Sequence, residues 1–232
     1  MSIDAEALGL GIFLCSCPQP LGGDIHERQS SKNGEKMSAD DNGLRIAVIK
    51  GSVRPGNYTG MAVDLVVEEL REKGVEVDVI DPVGMDLKLP GMGDSRSADE
   101  LQELIAKATG VVLATPEYHG SYSAAIKLVI ENMGFPSKLA GKPVALLGVA
   151  AGQIGAIKAL EHLRSVASHV GAIVLPGPVS VAGVQDAFAE DGRCLDARVE
   201  KRVRALATNL LDYIHESVCP RATLEAFVRE RA

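Results

Sequence analysis

Two glycine-bearing stretches, each at the carboxyl end of a short apolar run, hold the side chains best suited to grip a ligand. In the first, Ile46 to Lys50 runs into Gly51-Ser52-Val53-Arg54-Pro55-Gly56-Asn57-Tyr58-Thr59. In the second, Gly110 to Thr115 runs into Pro116-Glu117-Tyr118-His119-Gly120-Ser121. A monophosphate needs several donors converging from one direction, and it gains from the positive end of a helix dipole. Ser52, Asn57, Tyr58 and Thr59 offer side-chain and backbone donors, and Arg54 offers a charge-assisted contact. Tyr118 can pack near a flat ring, while backbone groups of Glu117 to Gly120 pair with its donor and acceptor edge. Gly120 lets the backbone come close. Together the loops point to a flavin mononucleotide, and so to redox chemistry.

A third loop, Gly148-Val149-Ala150-Ala151-Gly152-Gln153-Ile154-Gly155, puts small residues ahead of a helix. Ala150, Ala151, Gly152 and Gly155 leave room for a ring system, and amides at a helix start favour negative charge developing on it. Each signal has a plainer reading. The first loop could be an ordinary capped turn, and Glu117 a capping or ion-pair residue. His119 could be a rim residue bonded to backbone, and the third loop could be small only for tight packing. The dinucleotide pattern G-x-G-x-x-G and the triphosphatase pattern G-x-x-x-x-G-K-[ST] are both missing from the first loop.

The elements that carry these loops alternate in type. Leu44 to Lys50 is a nearly continuous apolar run, the signature of a strand buried on both faces. Thr59 is expected to cap a helix to about Lys73 that Gly74 ends. A strand over Val75 to Ile80 follows, then a loop from Asp81 to Ser97. Ser97 with Asp99 and Glu100 is expected to open a second helix. Strands are predicted over Val111 to Ala114, Val144 to Val149 and Ala172 to Leu175. Helices are predicted over Ala124 to Met133, over Gln153 to about Ser168, and around Val199 to Tyr213. Five strands each followed by a helix imply an α/β fold with a parallel sheet, right-handed crossovers and helices on both faces. Ligands in such sheets bind beyond the carboxyl ends of the strands, where strand order reverses.

The chain has 232 residues, enough for one ordinary domain and some extra. It carries 24 Lys+Arg against 31 Asp+Glu, a net charge of -7, and no long basic run. That balance argues against nucleic-acid binding, as does the scarcity of aromatics. No apolar stretch approaches the length of a membrane span. Leu8 to Cys17 is apolar but has no basic lead-in, so it is not read as a secretory signal. Cys15, Cys17, Cys194 and Cys219 show no zinc spacing, and reduced thiols in a cytoplasmic protein are expected. Residues 1–43 have no sustained period and are read as a disordered lead. A domain is expected over 44–215, and a helical tail over 216–232 with Leu224, Phe227 and Val228 on one side.

These residues resemble a known family, the NAD(P)H-dependent FMN reductases of flavodoxin-like fold, which include many chromate and quinone reductases. The family's first loop reads roughly G-S-x-R-x-x-S-x-[ST], matched by Gly51, Ser52, Arg54 and Thr59. Its second reads P-E-Y-N-x-S-x-P-G-x-L-K-N-x-I-D, met here by Pro116-Glu117-Tyr118-His119-Gly120-Ser121 and the residues up to Glu131. The resemblance covers about Arg45 to Ile214. Asn57 stands where Ser is common, His119 replaces Asn, Ser123-Ala124 replaces Pro-Gly, and Leu128 replaces Asn.

The resemblance implies a three-layer sandwich around a five-stranded sheet of order 2-1-3-4-5. It also implies non-covalent FMN, reduction by NADPH or NADH, and transfer to a second acceptor such as a quinone, a flavin or chromate. A homodimer or homotetramer with the flavin near a subunit boundary is the implied assembly. No side chain is assigned as catalytic acid or base, and no metal is expected. An electron-carrier flavodoxin and a flavin-free regulatory module on the same fold stay open as alternatives. Neither the acceptor nor the preference between nicotinamides can be read from the residues.

Overall fold

The computed structural model describes residues 43–229. The N-terminal stretch, with Cys15 and Cys17, lies outside them. Strands β1 (Arg45–Lys50), β2 (Glu76–Ile80), β3 (Gly110–Pro116) and β4 (Pro143–Val149) alternate with helices α1 (Tyr58–Glu72), α2 (Arg96–Lys107) and α3 (Ala124–Glu131). After α4 (Ile157–His169) come two short strands, β5 (Ile173–Val174) and β6 (Val179–Val181). The chain then forms α5 (Val184–Ala187), α6 (Ala197–Tyr213), a π-helical turn (Ile214–Val218) and α7 (Cys219–Arg229).

All sheet pairings are parallel, and the order is β2-β1-β3-β4-β5, as expected, with β6 also beside β4. The fifth position is therefore filled twice. β5 pairs with Pro143 and Val144, whereas β6 pairs with Leu147 to Val149. Between them stand Pro176, Gly177 and Pro178, which cannot continue a ladder. This shortens the predicted strand over Ala172 to Leu175 to Ile173–Val174.

Every residue of β3 and β4 is buried. Alternate side chains feed two cores, as the period of a strand requires. Ile46, Val48, Val112, Ala114, Leu147 and Val149 pack towards α1 and α6. Ala47, Ile49, Val111, Leu113, Val144 and Leu146 pack towards α2, α3 and α4. Burial on both faces explains why these strands read as unbroken apolar runs.

Helix starts differ from expectation by a few residues, for local reasons. Asn57, not Thr59, caps α1: its backbone is extended, and its Oδ1 accepts from Gly60 N at 2.7 Å. Ser95, not Ser97, caps α2 by accepting from Ala98 N at 3.2 Å. The Ser97 hydroxyl instead accepts from Asp86 N at 3.1 Å and pins the preceding loop. α3 ends at Glu131 rather than Met133, and α4 begins at Ile157 rather than Gln153, because 152–155 form a turn closed by Gly155 N and Gly152 O.

Candidate functional site

The loops after β1, β3 and β4 meet above the carboxyl ends of the sheet's central strands. Their contact begins at Gly51, whose N–H donates to Ala114 O at 2.8 Å. A Cβ on Gly51 would run into that same carbonyl, so the two strand ends approach closely only because residue 51 has no side chain.

Past Gly51 the first loop turns outward. Ser52 is only 3% exposed, and its Oγ is buried with no hydrogen-bond partner. No protein acceptor among the described residues takes the amide hydrogens of Ser52, Val53, Arg54 or Gly56. Buried polar groups are nearly always satisfied, so the open Ser52 hydroxyl, beside the exposed amides of Val53, Arg54 and Gly56, marks hydrogen-bonding capacity kept for something else. Arg54 crosses to the second loop, its guanidinium 4.8 Å from the centre of the Tyr118 ring. Thr59 is buried, and Tyr58 packs against the core. The Asn57 side chain is already engaged at both ends. Besides capping Gly60 N, its Nδ2 donates to Arg54 O at 2.6 Å. Asn57 therefore shapes the loop, and its side chain is not the open donor that its type suggested.

In the second loop, Pro116 ends β3 in a fully buried position. Tyr118 and Ser121 bond N–H to C=O in both directions, at 2.9 and 3.0 Å, around His119 and Gly120. Both central residues have positive φ, 52° and 74°. This is the geometry of a type I′ turn, in which Asn-Gly is favoured and histidine is tolerated better than most residues. His119 is thus exposed at the tip of a fixed turn. Glu117 proves to be a capping residue: its N–H donates to Val149 O at 2.9 Å, and its carboxylate accepts from Ala159 N at 3.1 Å. α4 has no side-chain cap from its own N-cap residue, Ala156, so Glu117 places a carboxylate where the helix dipole favours one.

The third loop is held from behind by β6 and α5. Ala150 donates to Val181 O and accepts from Val184 N, at 2.9 and 3.1 Å. Gly152 O accepts from both Gly155 N and Gly183 N, and Ala151 O from Gln185 Nε2. Gly155 has φ 78° beside Ser180, whose Oγ accepts from Ala156 N at 2.9 Å. Of the amides at the α4 start, expected to face a ring, Ala156 N is met by Ser180 and Ala159 N by Glu117.

Ser123 is the residue whose importance sequence reasoning missed. Its Oγ donates to Gly51 O at 2.5 Å and accepts from Ile126 N at 3.1 Å, capping α3 while clamping the first loop to the second. Its own N–H donates to Thr115 Oγ1 at 3.0 Å. The signal was present, because Ser123 directly precedes an apolar helix in the ordinary position of a cap. Ser121 Oγ and His162 Nδ1, 3.1 Å apart, were also not singled out.

The residues present fit a flavin phosphate: a buried open hydroxyl, unclaimed amides, an arginine and a helix start converge in one loop. A family model for NADPH-dependent FMN reductases matches residues 44–186. An NAD(P)H-dependent FMN reductase of Pseudomonas aeruginosa is 29% identical over 167 residues, covering 69% of this chain and 90% of the relative. An NADPH azoreductase of a Bacillus species is 30% identical over 165 residues, covering 70% and 92%. Among solved structures, the flavoenzyme NAD(P)H:(acceptor) oxidoreductase FerB of Paracoccus denitrificans superposes with a TM-score of 0.62 at 26% identity, covering 75% of this chain and 98% of that one. On its motifs, its sheet order and these matches together, the chain belongs to the NADPH-dependent FMN reductase family of flavodoxin-like oxidoreductases.

Proposed function

We propose that the protein binds FMN at the three-loop rim and uses it to pass electrons from NADPH or NADH to quinones, azo compounds, free flavins or chromate. The observation that carries this reading is the buried Ser52 hydroxyl, open beneath unclaimed amides in a loop that Arg54 ties to the ring loop. Bound FMN supplies hydride acceptance and electron transfer, and the protein supplies the grip and the geometry. Ser52, Arg54 and the amides of 52–56 hold the phosphate, with Tyr58 and Thr59 at the helix start behind it. Asn57 fixes the loop's shape rather than the ligand. The backbone of Pro116 to Gly120 lines the ring edge, and Ala150 to Gly155 form a wall beside it. Azo compounds enter because relatives of this chain are named azoreductases.

The flavin-binding domain spans 44–215, and a tail follows. Assembly as a homodimer or homotetramer is supported by apolar surface in two places. Phe135 is fully exposed beside a groove of about 990 Å³ between α3 and α4, and Leu224 and Val228 are exposed on α7. A cytoplasmic location is supported by Cys194 and Cys219, which remain thiols. Among the described residues no helix is long and apolar enough to cross a membrane.

The test is direct. Purified protein incubated with FMN and dialysed should stay yellow and oxidise NADPH with quinone or azo dye as acceptor. Arg54→Ala should retain much less flavin than the parent. Colourless protein after that treatment, or equal retention by Arg54→Ala, overturns the site assignment. A flavin-loaded protein without NADPH turnover would instead be an electron carrier.

A further inference from the structure

We infer that Lys158, on the first turn of α4, binds a phosphate of the nicotinamide dinucleotide, an inference that rests on the function proposed above. The observation is where its stem lies. A Cβ built on Gly120 would sit 3.5 Å from Lys158 Cδ, so the lysine's hydrocarbon chain lies against the His119–Gly120 turn. Lys158 is nonetheless exposed, which leaves its ammonium open to solvent.

Charge makes this position matter. The chain carries a net charge of -7, which opposes an anionic dinucleotide unless a local cation receives it. Most cations around the rim are engaged. Lys50 lies 3.8 Å from Asp64 and 4.0 Å from Asp81. Lys88 pairs with Asp86, and Lys127 pairs with Glu131. Arg54 belongs to the flavin phosphate and the Tyr118 face. Lys158 forms no ion pair among the described residues, even though Glu161 lies three residues on along the same helix.

Its neighbours suit the same ligand. His162 is four residues on, hence on the same side of the helix, and is held by Ser121 at 3.1 Å. His119 stands exposed at the tip of the turn on which the lysine lies. A lysine packed against the His119–Gly120 turn, with His162 one helical turn on, is placed to take the phosphate end of a dinucleotide whose nicotinamide stacks on that ring.

The experiment compares flavin-loaded parent, Lys158→Ala, Lys158→Glu and Lys158→Arg. Steady-state kinetics with NADPH and with NADH, using one quinone, are paired with calorimetric titration of NADP+, which needs no turnover. In the Ala and Glu variants KM for NADPH and Kd for NADP+ should rise about tenfold or more, with kcat and flavin content kept, and the Arg variant should recover most of the loss. A rise confined to NADPH assigns the adenosine 2′-phosphate, and an equal rise for NADH assigns the pyrophosphate. Unchanged KM and Kd in both the Ala and Glu variants would overturn the inference. A parent that takes up no FMN, or oxidises no NADPH, overturns the underlying function instead.

Discussion

The first and third loops look alike in sequence, both small, glycine-bearing and followed by a helix, yet they differ in what they do with their polar groups. The third bonds to protein at Ala150, Gly155 and Ala156, with Gly152, Ser180, Val181 and Val184 as partners, and among the described residues it leaves no buried side-chain polar atom unmet. The first keeps the Ser52 hydroxyl and several amides open. Unmet hydrogen-bonding capacity costs free energy in the apo fold and is regained only when a ligand arrives. The comparison therefore separates a loop with a buried, unmet hydroxyl from one without, which composition alone does not.

The hardest break to that contrast is Gly51→Ala. A methyl group there overlaps the Ala114 carbonyl, which cannot move without disturbing β3. A stability loss of about 3 kcal/mol is expected in urea unfolding of the apo-protein, with flavin binding lost as well. Ser52→Ala should instead split the two properties. FMN affinity should fall by about 10- to 100-fold, while apo stability holds or rises by about 1 kcal/mol, because an unsatisfied buried hydroxyl is removed. If apo stability falls as far as affinity, the hydroxyl is structural and the contrast fails.

Gly155→Ala should give the opposite pattern. The left-handed backbone and the nearby Ser180 oxygen oppose a methyl group, costing about 1–2 kcal/mol of stability. Flavin Kd measured by fluorescence should change less than about threefold, as suits a wall. Glu117→Ala removes the carboxylate that accepts from Ala159 N in the first turn of α4 and should cost about 1 kcal/mol, read from thermal unfolding.

The smallest effect concerns the helix behind the wall. Asp196 caps α6, and its carboxyl sits below the usual range, chiefly because it accepts the Arg198 N–H; desolvation opposes this, and the Val199 N–H adds to it. A carboxylate with a depressed folded pKa contributes stability above its unfolded value of about 3.9, and that contribution disappears as pH falls through the lower folded value. Asp196→Asn should flatten this part of the acid limb in a pH series of unfolding midpoints. An unchanged acid limb would show the cap to be worth nothing to the fold.

Much of the molecule was legible because short-range patterns carried it. Ile46 to Ile49 and Val111 to Ala114 are buried, so burial on both faces selects apolar residues there. The turn at His119-Gly120 left a trace in residue type, because few residues other than glycine accept positive φ. The bond from Ser123 to Gly51 and the cap from Glu117 to Ala159 left no such trace, since each joins segments far apart in the chain. The doubled edge position was hidden for a similar reason. Val179 to Val181 is too short to show a period, and only pairing with β4 makes it a strand.

By itself, then, the sequence determined the alternation of elements, the order in which the ligand-facing loops arrive, and the residue types offered to an anion and a ring. Only the tertiary structure decided which donors remain open. The Asn57 side chain and the Ala156 and Ala159 amides at the start of α4 are claimed by protein partners, whereas the Ser52 hydroxyl is buried without one. The physical reason is that hydrogen-bond satisfaction depends on whatever else the fold brings within about 3 Å, and no local pattern encodes that.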